Sequence, residues 1–567
     1  MRRLILNLLS MHFVIFPCMS QENDDVRKIS ELLAKEQEDL SEDELEHLSG
    51  FLKRQLALNN AGSEVLYASG IFTKYQVASL IDYRKRNGPC LSYLELASLD
   101  GFGDEFVSRI KPFVTLDYSP ELKGRADSEF TARASLRSTQ EKTRYGYTSR
   151  YKLNVGDFLK TSLACSQSLD ANGTAPDAVC ASVEVRLRKV PLRLAAGDFN
   201  ARFGQGLTLW TGSDFTSLNS PSSFMKRHFG VTSSTSYSGN GTLTGLATEL
   251  TVKKLSVSAY VAIPGIKTIK QGAQNLRVQP ALNLNYAWRT GQAGVSHVME
   301  FGGLGTEMFI PVMKTSCDFS LCVKGIDVFS ELMFDWVTIS PSAVAGIIFP
   351  IMDRWNMAAL VQSHESEHKL ALSSNVDDRK RIAGSMSTEL TLYSVPKDEC
   401  ESMSLQWKFH SQWRFVLNER LQLSLRLTER MRSWGPMFRT DLRTDVSWQS
   451  DMFAVTLRLN GLQCERCSFL SYIEGGCKSG SISIYLRQGI FVVDDWDDRI
   501  YAYERDVPGA YNSPAFYGRG LWTSIMISWK ISDWCRLYFR AGYTAYPFMS
   551  EKKPGKAELR FQSVFDF

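Results

Sequence analysis

The sequence predicts a mostly β protein, a large antiparallel transmembrane β-barrel preceded by a small all-α domain. Three observations carry that prediction. Apolar and polar residues alternate with a period of two in segment after segment from Pro120 to the C-terminus. That is the period of a strand whose successive side chains point to opposite faces. Tryptophans recur near segment ends (Trp288, Trp407, Trp413, Trp434, Trp522, Trp529 and Trp534), the pattern of aromatic girdles at membrane interfaces. The chain closes on "ELRFQSVFDF", which sets Leu559, Phe561, Phe565 and Phe567 on one face.

The first element is an export signal. Arg2 and Arg3 precede the apolar stretch Leu4 to Phe16, and Cys18 and Ser20 are small residues ahead of acidic sequence. These are the three parts of a signal peptide, so residues 1–20 are expected to leave by cleavage after Ser20. Phe16 and Pro17 fit lipidation of Cys18 poorly. Nothing later approaches the roughly 18 apolar residues of a spanning helix. The formal net charge of +4 is too mild to argue for nucleic acid.

Residues 21–58 read as an acidic helical segment. From Glu22 to Leu58 there are eleven carboxylates against five basic residues. Ser41 and Glu44 form a capping box, and Leu45, Leu48, Phe51, Leu52 and Leu56 recur at helical spacing. Residues 59–118 form a compact module with two glycine turns, Gly70-Ile71 and Gly101-Phe102-Gly103. Glycine permits a tight turn, and the free N–H groups of the helix that follows suit a phosphate.

Residues 119–567 are assigned to the barrel. "EFTARASLRS" sets Phe130, Ala132, Ala134 and Leu136 against Thr131, Arg133, Ser135 and Arg137. "SVEVRLRK", "FAVTLRLN", "LQLSLRLTE" and "SISIYLRQ" repeat the pattern, often with arginine on the polar face. Many segments are about ten residues long, as a tilted membrane strand requires. Chain length allows roughly 16 to 24 strands.

Two resemblances add to this reading. Leu58 to Ala61 ("LNNA") and the run "ASGIFTKYQVASLIDYRKRNGPCLSYLELASLDGFGDEFVSRIKPFV" resemble the helix-hairpin-helix repeat of ComEA-like competence proteins. That likeness implies nucleic-acid contact through Gly70, Ile71, Lys74, Gly101, Phe102, Gly103 and Lys111. The charge departs from such a role, because residues 59–118 carry six basic and seven acidic side chains, with Asp104 and Glu105 at the second turn. Phosphate affinity comes largely from cations. The barrel resembles exported Gram-negative proteins that carry such a module, chiefly through "AAGDFNARFGQGLTLWTG" (195–212) and "DRIYAYERDVPGAYNSPAFYGRG" (498–520). The ending resembles the signal read by the outer-membrane barrel assembly machinery, with Phe561, Phe565 and Phe567 as its residues.

Other chemistry is weakly signalled. "HESEH" at His364 to His368 matches the H-E-x-x-H zinc pattern, which works only on a helix. Here it joins two strand-like runs and reads as a solvated turn. "CERC" at Cys464 to Cys467 lacks the four matched ligands of structural zinc, so a disulfide is a better expectation than a metal, and free thiols are the other outcome the spacing allows. No metal, cofactor or catalytic residue is assigned. The reading is an outer-membrane barrel with a periplasmic helical module, acting in transport or docking, with DNA uptake or association with a secretion system as its sharper forms. A barrel enzyme acting on lipid or protein is the alternative. Expected partners are outer-membrane lipid, the assembly machinery, and DNA or a periplasmic protein. The mature chain is expected in the outer-membrane fraction, with a gel mobility that changes on boiling. Deleting Phe567 is expected to lower the assembled amount; unchanged membrane levels would contradict the signal.

Overall fold

In a lipid bilayer every strand edge must be paired, and this chain meets that condition by closing on itself. The computed structural model describes residues 21–33, 40, 42–117, 126–139, 142–156, 158–169, 176–187, 190–212, 217–234, 236, 241–264, 277–302, 309–352, 354–378, 381–395, 403–549 and 553–567. The expected signal peptide, the Ser41 cap and Cys400 lie outside the described residues. Among the described residues, twenty-four antiparallel strands form one closed barrel. The last strand, Lys556–Asp566, pairs with the first, Ala126–Thr139, through eleven registered positions from Lys556↔Thr139 to Asp566↔Glu129.

The alternation read from the sequence sets the two faces of the wall. In the strand Gln279–Trp288, Leu282, Leu284 and Tyr286 are exposed while Ala281, Asn283 and Asn285 are buried. Exposed leucines, valines, isoleucines and aromatics recur on the outer face of the other strands, making the apolar band that lipid requires. The protein is an outer-membrane barrel.

Connections differ between the two ends. At one end they hold two to four residues, as between Val252 and Leu255 or Val323 and Ile326. At the other they include the long runs 203–242 and 494–517. Short turns mark the periplasmic end of such barrels and long loops the extracellular end. The first strand begins and the last strand ends at the periplasmic side.

Among the described residues the helical region has six helices: α1 (Gln21–Leu33), α2 (Glu42–Lys53), α3 (Ser63–Ala68), α4 (Lys74–Asn87), α5 (Tyr93–Ala97) and α6 (Gly103–Ile110). Thr73 caps α4 in a reciprocal box with Gln76, and Ser92 caps α5 by accepting from the Glu95 amide. Gly70 (φ 68°) and Gly101 (φ 83°) make the two turns in the left-handed region that glycine tolerates. Leu56-Ala57 pairs in parallel with Val114-Thr115, which ties the ends of the region together. Asn59 reinforces that tie, donating to the Cys90 and Leu116 carbonyls and accepting from the Cys90 amide. Ile29, Leu32, Leu45 and Leu48 share one apolar core with Ile71, Phe72, Leu96, Phe102 and Phe113. The acidic segment and the hairpin module therefore fold together.

Two expectations are corrected. Trp522 is no girdle residue; it is 2 % exposed and points into the lumen, where its ring covers Gly489 and packs on Phe516, Phe491 and Tyr472. The strand parity that turns Ile525 and Ile527 toward lipid turns Trp522 inward. Cys464 and Cys467 are free thiols flanking a hairpin turn, with no disulfide between them. Replacing Trp522 with alanine is expected to cost about 3–5 kcal/mol. The check is the temperature at which the compact gel form is lost. Trp529→Ala, on the lipid-facing side, is expected to shift stability by less than about 1 kcal/mol.

Candidate functional site: the seat of the helical module in the lumen

A closed barrel of this size has a wide lumen, and its polar inner face decides what can fill it. Here the helical region fills the periplasmic mouth. Its contacts reach wall strands around much of the circumference, all within a few residues of the short turns. The Tyr75 hydroxyl donates to Asp327 at 2.8 Å. Asn356 and Asn375 donate to the Glu105 carboxylate at 2.5 and 3.2 Å. Arg414 pairs with Glu31 at 3.1 Å and Arg289 with Asp100 at 2.5 Å. At the rim Lys53 meets Glu129 at 2.7 Å and Arg54 meets Asp127 at 3.2 Å. Asp100 and Glu105, which weigh against DNA binding, and Glu31 of the acidic segment meet donors on the wall.

The two segments singled out in the sequence also turn inward. From the first, the Gln205 and Leu207 amides donate to Glu331 on the wall at 2.7 and 3.1 Å. Its continuation brings the Ser233 amide to Glu184 and the Val231 amide to Glu249. The Phe229 ring then stacks on His47 of α2, with centroids 5.6 Å apart and planes 12° apart. The second segment is anchored by arginines of the wall strands beside it. Arg487 donates to the Tyr503 carbonyl at 2.6 Å, Arg133 to the Pro508 carbonyl at 2.7 Å, and Arg540 and Arg560 pair with Glu504 and Asp506. Tyr511 touches the core of the helical region.

Between the helices and the first inserted segment lies a cavity of about 120 Å³. Its lining includes His47, Gly70, Arg202, Trp210, Lys226 and Phe229. Arg202 lies over the Trp210 and Phe229 rings, and Lys226 over Trp210. Burial holds the His47 imidazole down to about 4, with Lys160 and Arg202 adding to the effect against the Ser69 carbonyl. Burial likewise lowers His228 to about 3, with Lys74 nearby. Lys74 itself is lowered to about 8 by burial, against the pull of Glu249 and Asp318.

The remaining seam is polar. Ser258, Asn283, Asn285, Gln292, Ser316 and Asp318 line adjacent wall strands, and each has a buried oxygen with no partner among the described residues. Buried polar atoms of this kind are normally satisfied by water or solute.

The sequence-predicted residues are thus split. Gly70 faces Phe229 and His47, and Gly101 faces the Tyr75 ring. Ile71 and Phe102 are buried in the helical core. Lys74 is 5 % exposed, its ammonium over the Tyr67 ring. Only Gly103 and Lys111 are exposed. His364 and His368 flank the two-residue turn Glu365-Ser366, where Ser342, Ser363 and Ser394 are their partners. Phe561 and Phe567 face outward, and Phe565 stacks between Phe130, Trp534 and Phe567. Sequence reasoning missed Arg202, Lys226 and Phe229; their signal is the loss of alternation between Phe203 and Thr242.

No protein-family model matches the sequence, and no curated protein does. Among solved structures, the chain is similar to the siderophore receptor PirA from Acinetobacter baumannii (TM-score 0.40, 8 % identity, 79 % of this chain and 81 % of that one). It is similar to the ferric enterobactin receptor PfeA from Pseudomonas aeruginosa (TM-score 0.41, 7 % identity, 78 % and 82 %). The copper transporter OprC is comparable (TM-score 0.41, 8 % identity, 79 % and 81 %). At these scores the likeness says nothing about cargo.

The two depressed histidines predict a pH response of the seat. An exposed histidine takes a proton near pH 6.5, whereas seated His47 and His228 do so only near 4 and 3. The unseated form therefore binds more histidine protons in that window, so the histidines' share of seat stability is full above about pH 6.5 and falls as pH drops toward 4. Protease cleavage of the helical region in intact protein is expected to be faster at about pH 4.5 than at about pH 7.5. His47→Phe is expected to reduce that difference.

Proposed function

We propose that this chain is an outer-membrane uptake channel held shut by its own helical module. The observation that carries the reading is the nature of the seat. The helical region has Tyr511 as the one described hydrophobic residue from outside residues 21–117 that packs against its apolar core, while Arg227 lies over its Phe106 ring and His228 meets its Tyr67 edge-on. Its bonds to the wall are side-chain hydrogen bonds and ion pairs. Partly exposed pairs of this type contribute about 0–1 kcal/mol each, so the module can leave without uncovering its core. A permanent filling would share its core with the wall.

A second reading, docking of a periplasmic partner, is favoured by Leu91 and Leu94. They are 81 % and 80 % exposed, beside the basic run Arg84-Lys85-Arg86. Exposed leucines so placed suit a protein partner that pulls on the module. The DNA form of the reading rests on the helix-hairpin-helix resemblance. It needs the module outside the lumen, since the wall and the inserted segment cover Lys74 and the Gly70 turn.

Planar-bilayer conductance tests the uptake reading. Full-length protein is expected to be nearly silent, and a chain lacking residues 21–117 is expected to pass a large, steady current. A silent deletion variant that retains its heat-modifiable mobility would overturn the reading. Duplex DNA titrated against full-length protein at two salt concentrations decides the DNA form. Binding is expected to be weak, with a salt slope worth about one to three phosphates.

A further inference from the structure

On the extracellular half of the lumen wall, three cations stand directly opposite one another on consecutive strands. Lys408 of Ser404–Val416 is registered with Arg430 of Leu421–Arg432, and Arg430 with Arg439 of Phe438–Gln449. Opposed positions put Cβ atoms about 4.5–5.5 Å apart, where like charges destabilise a sheet. Arg432 adds a fourth cation one inward position further along, across from Gln406.

The outer members are held in place. Arg439 donates to the Asp497 and Arg499 carbonyls at 2.6 and 2.9 Å. Arg432 donates to Gln406 at 2.8 Å and lies over the Trp434 ring. The central pair differs. Lys408 has no salt-bridge partner among the described residues, and the buried Arg430 Nε has no hydrogen-bond partner. Among the described residues, Glu389, which is registered opposite Lys408, pairs with Lys369 at 3.5 Å, Asp441 with Arg426 at 3.4 Å and Asp497 with Arg499 at 3.8 Å. The charges that act most on Arg430 include the guanidiniums of Arg432, Arg439 and Arg499.

A wall can hold such a group only if something gains from it. Water and an incoming anion are the two ways to relieve it. Guanidinium forks match planar oxyanions in a bidentate manner, and a recess lined with one sign of charge concentrates the opposite ion. We propose that Lys408, Arg430, Arg432 and Arg439 form an oxyanion-binding site in the extracellular half of the lumen, for a solute that carries phosphate or carboxylate groups. This names a substrate class for the uptake reading and rests on that reading for the direction of travel. The binding test below stands apart from the conductance test.

The test uses the full chain in detergent at fixed ionic strength. Its readout is the temperature at which the compact gel form is lost, measured against rising sodium pyrophosphate or citrate. Wild type is expected to gain stability saturably with at least one of them, and the tighter of the two names the oxyanion. Arg430→Gln and Lys408→Gln are each expected to raise the half-saturating concentration at least about tenfold. Arg430→Gln without ligand is expected to be as stable as wild type or more so, because a like-charge contact is gone. Failure of wild type to respond, unchanged half-saturation in both variants, or a less stable unliganded Arg430→Gln would each overturn the proposal.

Discussion

The closing ladder between Ala126–Thr139 and Lys556–Asp566 is the constraint on which the rest of this molecule depends. Hydrocarbon offers no partner to a free backbone edge, and each unsatisfied group there costs several kcal/mol. The first and last strands must therefore meet, and both of their free ends fall at the periplasmic side. That position places the preceding helical region at the periplasmic mouth, and closure over twenty-four strands leaves a lumen wide enough to admit it.

Once the lumen exists, its polar face dictates how it is filled. Strand alternation delivers one polar side chain inward for each apolar one outward. An apolar plug against such a wall would leave its polar groups unsatisfied. The chain instead brings acidic helices to a wall with exposed donors, as Glu31 to Arg414, Asp100 to Arg289, and Glu105 to Asn356 and Asn375. The second inserted segment follows the same rule in its lower half, where Glu504 and Asp506 meet Arg540 and Arg560. Charge complementarity makes that interface specific.

The inner wall is not uniformly complemented. Toward the periplasm its charges and donors meet the helical region, though side-chain oxygens of Ser258, Asn283, Asn285 and Gln292 have no partner there among the described residues. Toward the outside, Lys408 and Arg430 stand opposed.

The sequence by itself determined the barrel, its lipid-facing residues and the helical region. Those features are local: period-two alternation selects strand and face, while capping residues such as Thr73 and Ser92 and the left-handed glycines at Gly70 and Gly101 select helices and turns. It also drew attention to residues 195–212 and 498–520 without revealing that they enter the lumen. Only the tertiary structure decided that Lys74 and the first glycine turn are covered, and that Glu105 meets asparagines of two wall strands. The physical reason is sequence separation. Contacts such as Tyr75 with Asp327 or Gln205 with Glu331 join residues more than a hundred positions apart. No periodicity encodes them, and they exist only after strand register and barrel closure have fixed the inner surface.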